Sequence, residues 1–147
     1  MRGFTGRTLV DDALRWVDEH SKSLPGETIA FDVAHGRILA ADVSSPINVP
    51  SFDRSAMDGY AVRGIETEGA SDYNPLSFPI VGESMPGQPF PDTMPPGSAV
   101  RIMTGAPVPT GADAVIPAEY ATETGATVEI TSTVSPGKHV GRRGEDV

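Results

Sequence analysis

The chain has 147 residues, 38% of them hydrophobic and 6% aromatic, enough for one domain with a modest aliphatic core or for two small ones. A net charge of −9 with no basic stripe argues against binding nucleic acid or an anionic membrane, although a local cluster of donors can still hold a small anion. The absence of cysteine excludes a disulfide framework, a thiolate metal site and a cysteine nucleophile.

No apolar run approaches the roughly 20 residues of a membrane span, and no signal-peptide pattern opens the chain, so a cytoplasmic location is expected. Glycine (16) and proline (14) make up about a fifth of the residues, a punctuation that favours short strands and many turns over a helical bundle.

Residues 1–7 read as a loose start. A helix is expected from Thr8 to about Leu24: Thr8 can cap it, Asp11 stands at the capping-box position, and Val10, Ala13, Leu14 and Val17 form one apolar face. Pro25-Gly26 ends it. Ile29, Phe31 and Val33 alternate as a short strand, and Ala34 to Ala41 suits a brief helix weakened by Gly36. Pro46 and Pro50 mark an extended crossing and a boundary near residue 50.

The stretch Ser51-Phe-Asp-Arg-Ser-Ala-Met-Asp-Gly-Tyr-Ala-Val62 reads as a charged loop feeding a strand. Further strands are expected at Phe78–Val81, Ala99–Met103, Ala114–Ile116 and Thr127–Thr131, with a turn at Gly82–Gly87. The pattern is mainly β with one N-terminal helix, the strands forming a small barrel or sandwich.

Three stretches could carry chemistry: the first loop with Asp53, Arg54, Ser55 and Asp58, the Thr104-Gly-Ala-Pro loop with Asp113 and Glu119 after it, and Gly82-Glu-Ser84. Asp58 beside Gly59 offers a hard ligand for Mg²⁺ or a base that positions water; equally, it suits an Asx-turn acceptor. Thr104-Gly-Ala, at the end of a strand, offers a hydroxyl and adjacent amides for an oxyanion, or a turn in which Thr104 satisfies a local carbonyl. Arg101 either faces an anion or pairs with one of the many acids. His20, His35 and His139 lack metal-ligand spacing, and no phosphate-loop, nucleophile-elbow or dinucleotide fingerprint occurs.

Ser51–Arg63 and Arg101-Ile-Met-Thr-Gly-Ala-Pro-Val-Pro-Thr-Gly-Ala-Asp-Ala-Val115 resemble the two signatures of the molybdopterin molybdenumtransferases, the MoeA family that includes the gephyrin E domain. His35–Val43, Gly82-Glu-Ser84, Glu119 and Gly144-Glu-Asp146 match in order and spacing. The departures, Ser51 where proline is usual and Pro86 where alanine is common, remove no charged or hydroxyl group.

The resemblance implies an elongated, truncated first domain of residues 1–50 and 137–147, with an inserted β-barrel-like second domain of 51–136. The pterin-binding third and the fourth domain of the family lie outside this sequence. It further implies insertion of molybdate into adenylylated molybdopterin with Mg²⁺ and release of AMP, in a homodimer supplied by a molybdopterin adenylyltransferase.

Asp58 and Thr104 match active-site positions; Asp58 is the residue through which Mg²⁺ or molybdate is held or water oriented, and Thr104 with the Gly105 amide meets an oxyanion. Ser55, Met57, Gly105, Ala106, Arg101 and Glu119 are further substrate-binding candidates. Because the family's cleft needs the later domains of a second subunit, the 147-residue chain by itself is expected to be inactive. A non-catalytic scaffold module, or an inactive paralogue of the same fold, is the alternative.

Overall fold

The computed structural model describes residues 6–147; Met1 to Thr5, most of the expected loose start, lie outside the described residues. The chain forms two compact units, Met1–Ser44 and Ser45–Val147. In the first, helix α1 spans Val10–His20. Thr8 does not cap it. The flanking residue is Leu9, which makes no side-chain cap, and Asp11 and Asp12 complement the positive end of the helix instead.

The helix stops four residues before Leu24. The His20 ring stacks on Trp16 with centroids 4.3 Å apart, and its Nδ1 lies 2.7 Å from the Trp16 carbonyl, giving the last turn a side-chain partner. The expected strand at 29–33 is instead a 3₁₀ turn over Phe31–Val33: alternation without a neighbouring strand does not make a ladder. Residues 34–41 form no helix, and Gly36 turns the chain with a φ of 76°.

The second unit holds eight strands: β1 Arg54–Ser55, β2 Gly59–Val62, β3 Leu76–Ser84, β4 Ala99–Ile102, β5 Ala114–Pro117, β6 Ala121–Thr124, β7 Thr127–Ile130 and β8 Val140–Gly141. Six form one sheet in the order β5-β2-β4-β3-β7-β6, and β1 pairs with β8. All pairings are antiparallel except β3 with β4, where the register shifts between Ile80 and Gly82. The Gly82–Ser84 segment, expected as a turn, therefore continues β3. The turn falls at Met85–Gln88, whose two amides exchange hydrogen bonds of 2.9 Å.

Alternating side chains divide the core between the two faces of this sheet. Tyr60, Val62, Phe78, Ala114, Ile116, Val128 and Ile130 fill one face. Ala61, Val100, Ile102 and Val115 fill the other, where Met94 of the β3–β4 crossover and Ala106 cover them. Each fully buried Val or Ile contributes about 1.5–3 kcal/mol.

The first cluster joins β2 and β5 to β7, which are not neighbours in the sheet, so the sheet curls into a half-barrel. Its two edge strands, β5 and β6, are consecutive in the chain and joined only by the 3₁₀ turn Ala118–Tyr120. A polar clasp closes the curl. Tyr60 on β2 donates to Glu123 Oε2 on β6 at 2.7 Å, and Arg101 on β4 pairs with the same carboxylate and with Glu83 on β3.

Candidate functional site

The two signature loops interlock. The Ser55 amide donates to Ala106 O at 2.9 Å, the Gly105 amide returns a bond to Ser55 O at 2.8 Å, and the Val108 amide donates to Asp53 O at 2.9 Å. Behind them, the Met103 amide reaches Ser84 O at 3.3 Å, and the Ser84 hydroxyl holds Pro107 O at 2.7 Å. This backbone weave puts the end of β4 against the turn that precedes β2.

Asp58 and Thr104 meet where the loops cross. Asp58 Oδ1 accepts from both the Thr104 amide (2.7 Å) and the Thr104 hydroxyl (2.6 Å). The Asp58 carbonyl accepts from the Ala118 amide at 2.9 Å, which fixes the backbone on the other side. The hydroxyl bond first and the amide bond second stabilise the carboxylate and lower the Asp58 pKa below its ordinary value, against a smaller opposing effect of desolvation. Asp58 is therefore ionised at neutral pH, with Oδ2 on an exposed surface and no described residue donating to it.

Gly59 makes this approach feasible. Its φ is 157°, and a Cβ there would lie 1.9 Å from Ile116 O, so no other residue fits beside Asp58. Gly105 turns the opposite loop with φ 83°.

The remaining candidates separate into supports and bystanders. Ser55 is fully buried; its hydroxyl donates to Met57 O at 2.5 Å and accepts from the Met57 amide at 3.2 Å, which folds the turn beneath Asp58. Ala106 is fully buried in the second core cluster. Both side chains serve the packing beneath the two loops, and neither presents surface in this chain. Met57 is half-buried.

The Gly105 amide, expected to meet an oxyanion, is committed to Ser55, and both donors of Thr104 are committed to Asp58. The pair thus presents acceptors outward: Asp58 Oδ2 and the Thr104 hydroxyl lone pairs. Arg101 is engaged by Glu83 and Glu123 in the clasp, which raises its pKa further, chiefly through Glu123. The salt-bridged alternative is the one the structure adopts. Glu119 is exposed on the 3₁₀ turn, next to the residue that holds the Asp58 carbonyl.

Sequence reasoning missed the latch that carries the chain's last residues back to the first loop. The Arg143 amide donates to Asp53 Oδ1 at 2.8 Å, and Arg54 pairs with Glu145 at 3.0 Å across 91 positions. Only the spacing of Gly144-Glu-Asp146 hinted at it.

Among the described residues, no three His, Cys, Asp or Glu side chains converge as a metal cage. Mg²⁺ commonly binds one or two carboxylates together with water and substrate phosphates, and Asp58 Oδ2 is an exposed carboxylate oxygen of that kind.

The described residues are mainly β with a single α-helix, and the curled sheet of the second unit presents an ionised carboxylate and a hydroxyl on two joined loops. The chain belongs to the family described as the MoeA N-terminal region (domain I and II), which matches residues 8–147. It is 45% identical over 139 residues to molybdopterin molybdenumtransferase 2 of Mycobacterium tuberculosis, covering 94% of this chain and 34% of that protein.

It is also 46% identical over 123 residues to the molybdopterin molybdenumtransferase of Haemophilus influenzae, covering 82% and 29%. The crystal structure of the molybdopterin biosynthesis moeA protein from Pyrococcus horikoshii OT3 superposes with a TM-score of 0.68 at 36% identity, over 82% of this chain and 32% of that one. The chain thus spans about a third of the length of the curated relatives it matches.

Proposed function

We propose that this chain is the amino-terminal portion of a molybdopterin molybdenumtransferase that inserts molybdate into adenylylated molybdopterin and releases AMP. The observation that carries the reading is the Asp58–Thr104 pair, an ionised carboxylate held by two donors of one residue on the loops that match both family signatures.

Asp58 Oδ2 orients a water molecule by accepting its hydrogen bond, or faces a cation. Thr104 acts as a positioning residue: it fixes the other oxygen and prevents the carboxylate from rotating or taking up a proton. Mg²⁺ arriving with the substrate would be held by Asp58 Oδ2 and would neutralise oxyanion charge. Molybdate and the pterin then depend on groups beyond this chain.

The whole protein acts as a homodimer in the cytoplasm, receives its pterin from a molybdopterin adenylyltransferase, and binds neither nucleic acid nor membrane. On these 147 residues the net charge of −9 disfavours nucleic acid. The apolar face of α1 supports an additional covering surface: Val10, Leu14 and Val17 are all exposed in this chain. The 147-residue chain alone is inactive.

Cofactor formation from adenylylated molybdopterin and molybdate, measured with the full-length protein and with this chain, tests the reading. Product from the full-length protein only is expected. Turnover by the isolated chain overturns the claim that the site is shared, and no product from either overturns the transferase assignment.

A further inference from the structure

Beside the Asp58 loop lies a concavity of about 410 Å³, within the range of small-ligand pockets. Its origin is in the sequence. The first half of edge strand β5 is zipped to the following segment by bonds from the Val115 amide to Lys138 O (3.2 Å) and from the Gly137 amide to Asp113 O (2.7 Å). At Pro117 there is no amide to continue the zip, and the chain turns away into Ala118–Tyr120.

The two walls part there. One carries Ile116, Pro117 and Tyr120, the other Ser132 to Ser135 with Lys138 and His139. Backbone bonds hold the gap open at both ends: the Ala56 amide on His139 O and the Ala118 amide on Asp58 O at one, the Thr131 amide on Tyr120 O at the other, each 2.9 Å.

The lining chemistry runs against the rest of the chain. In a protein with 20 acidic and 11 Lys or Arg residues, no Asp or Glu lines this groove. Lys138 forms no ion pair with a described residue, whereas Arg15, Arg37, Arg54, Arg101 and Arg142 are each paired. The hydroxyls of Thr133 and Ser135 add donors, that of Ser132 leans on the Thr133 carbonyl at 3.5 Å, and the floor is apolar at Ile116 and Val134, both buried. His139 holds a φ of 58°, the only positive value outside glycine among the described residues, and such outliers persist where surrounding structure imposes them.

We infer that this groove binds a small phosphate monoester, with the phosphate on Lys138 and the hydroxyls and an apolar ring against Tyr120 and Pro117. The ammonium of Lys138 and the hydroxyls of Thr133 and Ser135, lining one groove, supply donors for a tetrahedral oxyanion, and the apolar floor selects an ester over the free ion. The site shares no residue with the Asp58–Thr104 pair and does not depend on the transferase reading.

Calorimetric titration of the 147-residue chain with phenyl phosphate, inorganic phosphate and phenol tests it. Saturable binding is expected for phenyl phosphate, weaker binding for inorganic phosphate and none for phenol. Lys138→Gln, which keeps most of the side-chain stem, should weaken phenyl phosphate at least tenfold. Arg15→Ala, which removes a charge elsewhere, should leave it unchanged. No saturable binding, equal binding of phenol, or equal weakening by both substitutions overturns the inference.

Discussion

Asp58 and Thr104 stand 46 positions apart in the chain, yet one oxygen of the first accepts both polar hydrogens of the second, at 2.7 and 2.6 Å. A turn before β2 and a turn after β4 are thereby locked into one surface. The lock has a direction: it leaves acceptors facing outward, which suits water or a cation better than a bare oxyanion.

The same two bonds set the titration of Asp58. Its folded pKa is lowered, so the interaction stabilises the fold above the unfolded value of about 3.9 and is lost as pH falls through the folded value. Carboxylate chemical shifts followed against pH should place Asp58 below that reference. Thr104→Val keeps the amide but removes the hydroxyl, so it should move the midpoint up without restoring it fully. An unchanged midpoint in Thr104→Val would remove the hydroxyl from the account.

The clasp at Tyr60 titrates in the opposite sense. Burial first, and the bond to Glu123 second, raise the Tyr60 phenol above its ordinary value. Its contribution is therefore complete below the unfolded value of about 10 and is lost as pH rises through the folded one. Ultraviolet titration of Glu123→Gln should show one tyrosine ionising at lower pH than in the parent chain, with burial keeping part of the shift.

Gly59 is the tightest backbone contact at the site. A methyl group there meets Ile116 O at 1.9 Å, and the residue has a φ of 157°. Gly59→Ala should cost at least about 3 kcal/mol of stability, because β2 must separate from β5 to admit it. Urea denaturation with an unchanged slope measures the loss.

Met94 tests the crossover between β3 and β4. It is fully buried against Val100, Ile102 and Val115 in the second core cluster, and its amide donates to Thr110 O at 2.8 Å. Met94→Ala should destabilise the chain by about 2–5 kcal/mol, the range for a buried Met truncated to Ala. A loss near zero would mean that the crossover does not seal that face.

What the sequence made legible follows the reach of its signals. The apolar face of α1 and the β-branched runs at β4, β5 and β7 were readable because alternation and glycine punctuation are local, whereas the pairing of the two loops came from the family resemblance. Strand β6, with Ala121 to Thr124 mostly exposed, has no apolar alternation to announce it and forms because β7 pairs with it. The same dependence on partners removed the strand expected at 29–33, where no neighbour exists. The burial of Ser55 and Ala106 was not legible, because burial cannot be read from a motif. Arg101 needed Glu83 and Glu123, 18 and 22 positions away, before its alternative could be chosen.

The central claim is that the carboxylate of Asp58, held by Thr104, takes part in molybdenum insertion. The direct measurement is the rate of cofactor formation by the full-length protein carrying Asp58→Asn, which keeps the side-chain shape and removes the charge. A fall of about a hundredfold or more is predicted, as expected when a preorganised charge at a reacting site is lost. A rate equal to that of the unaltered protein would contradict the account.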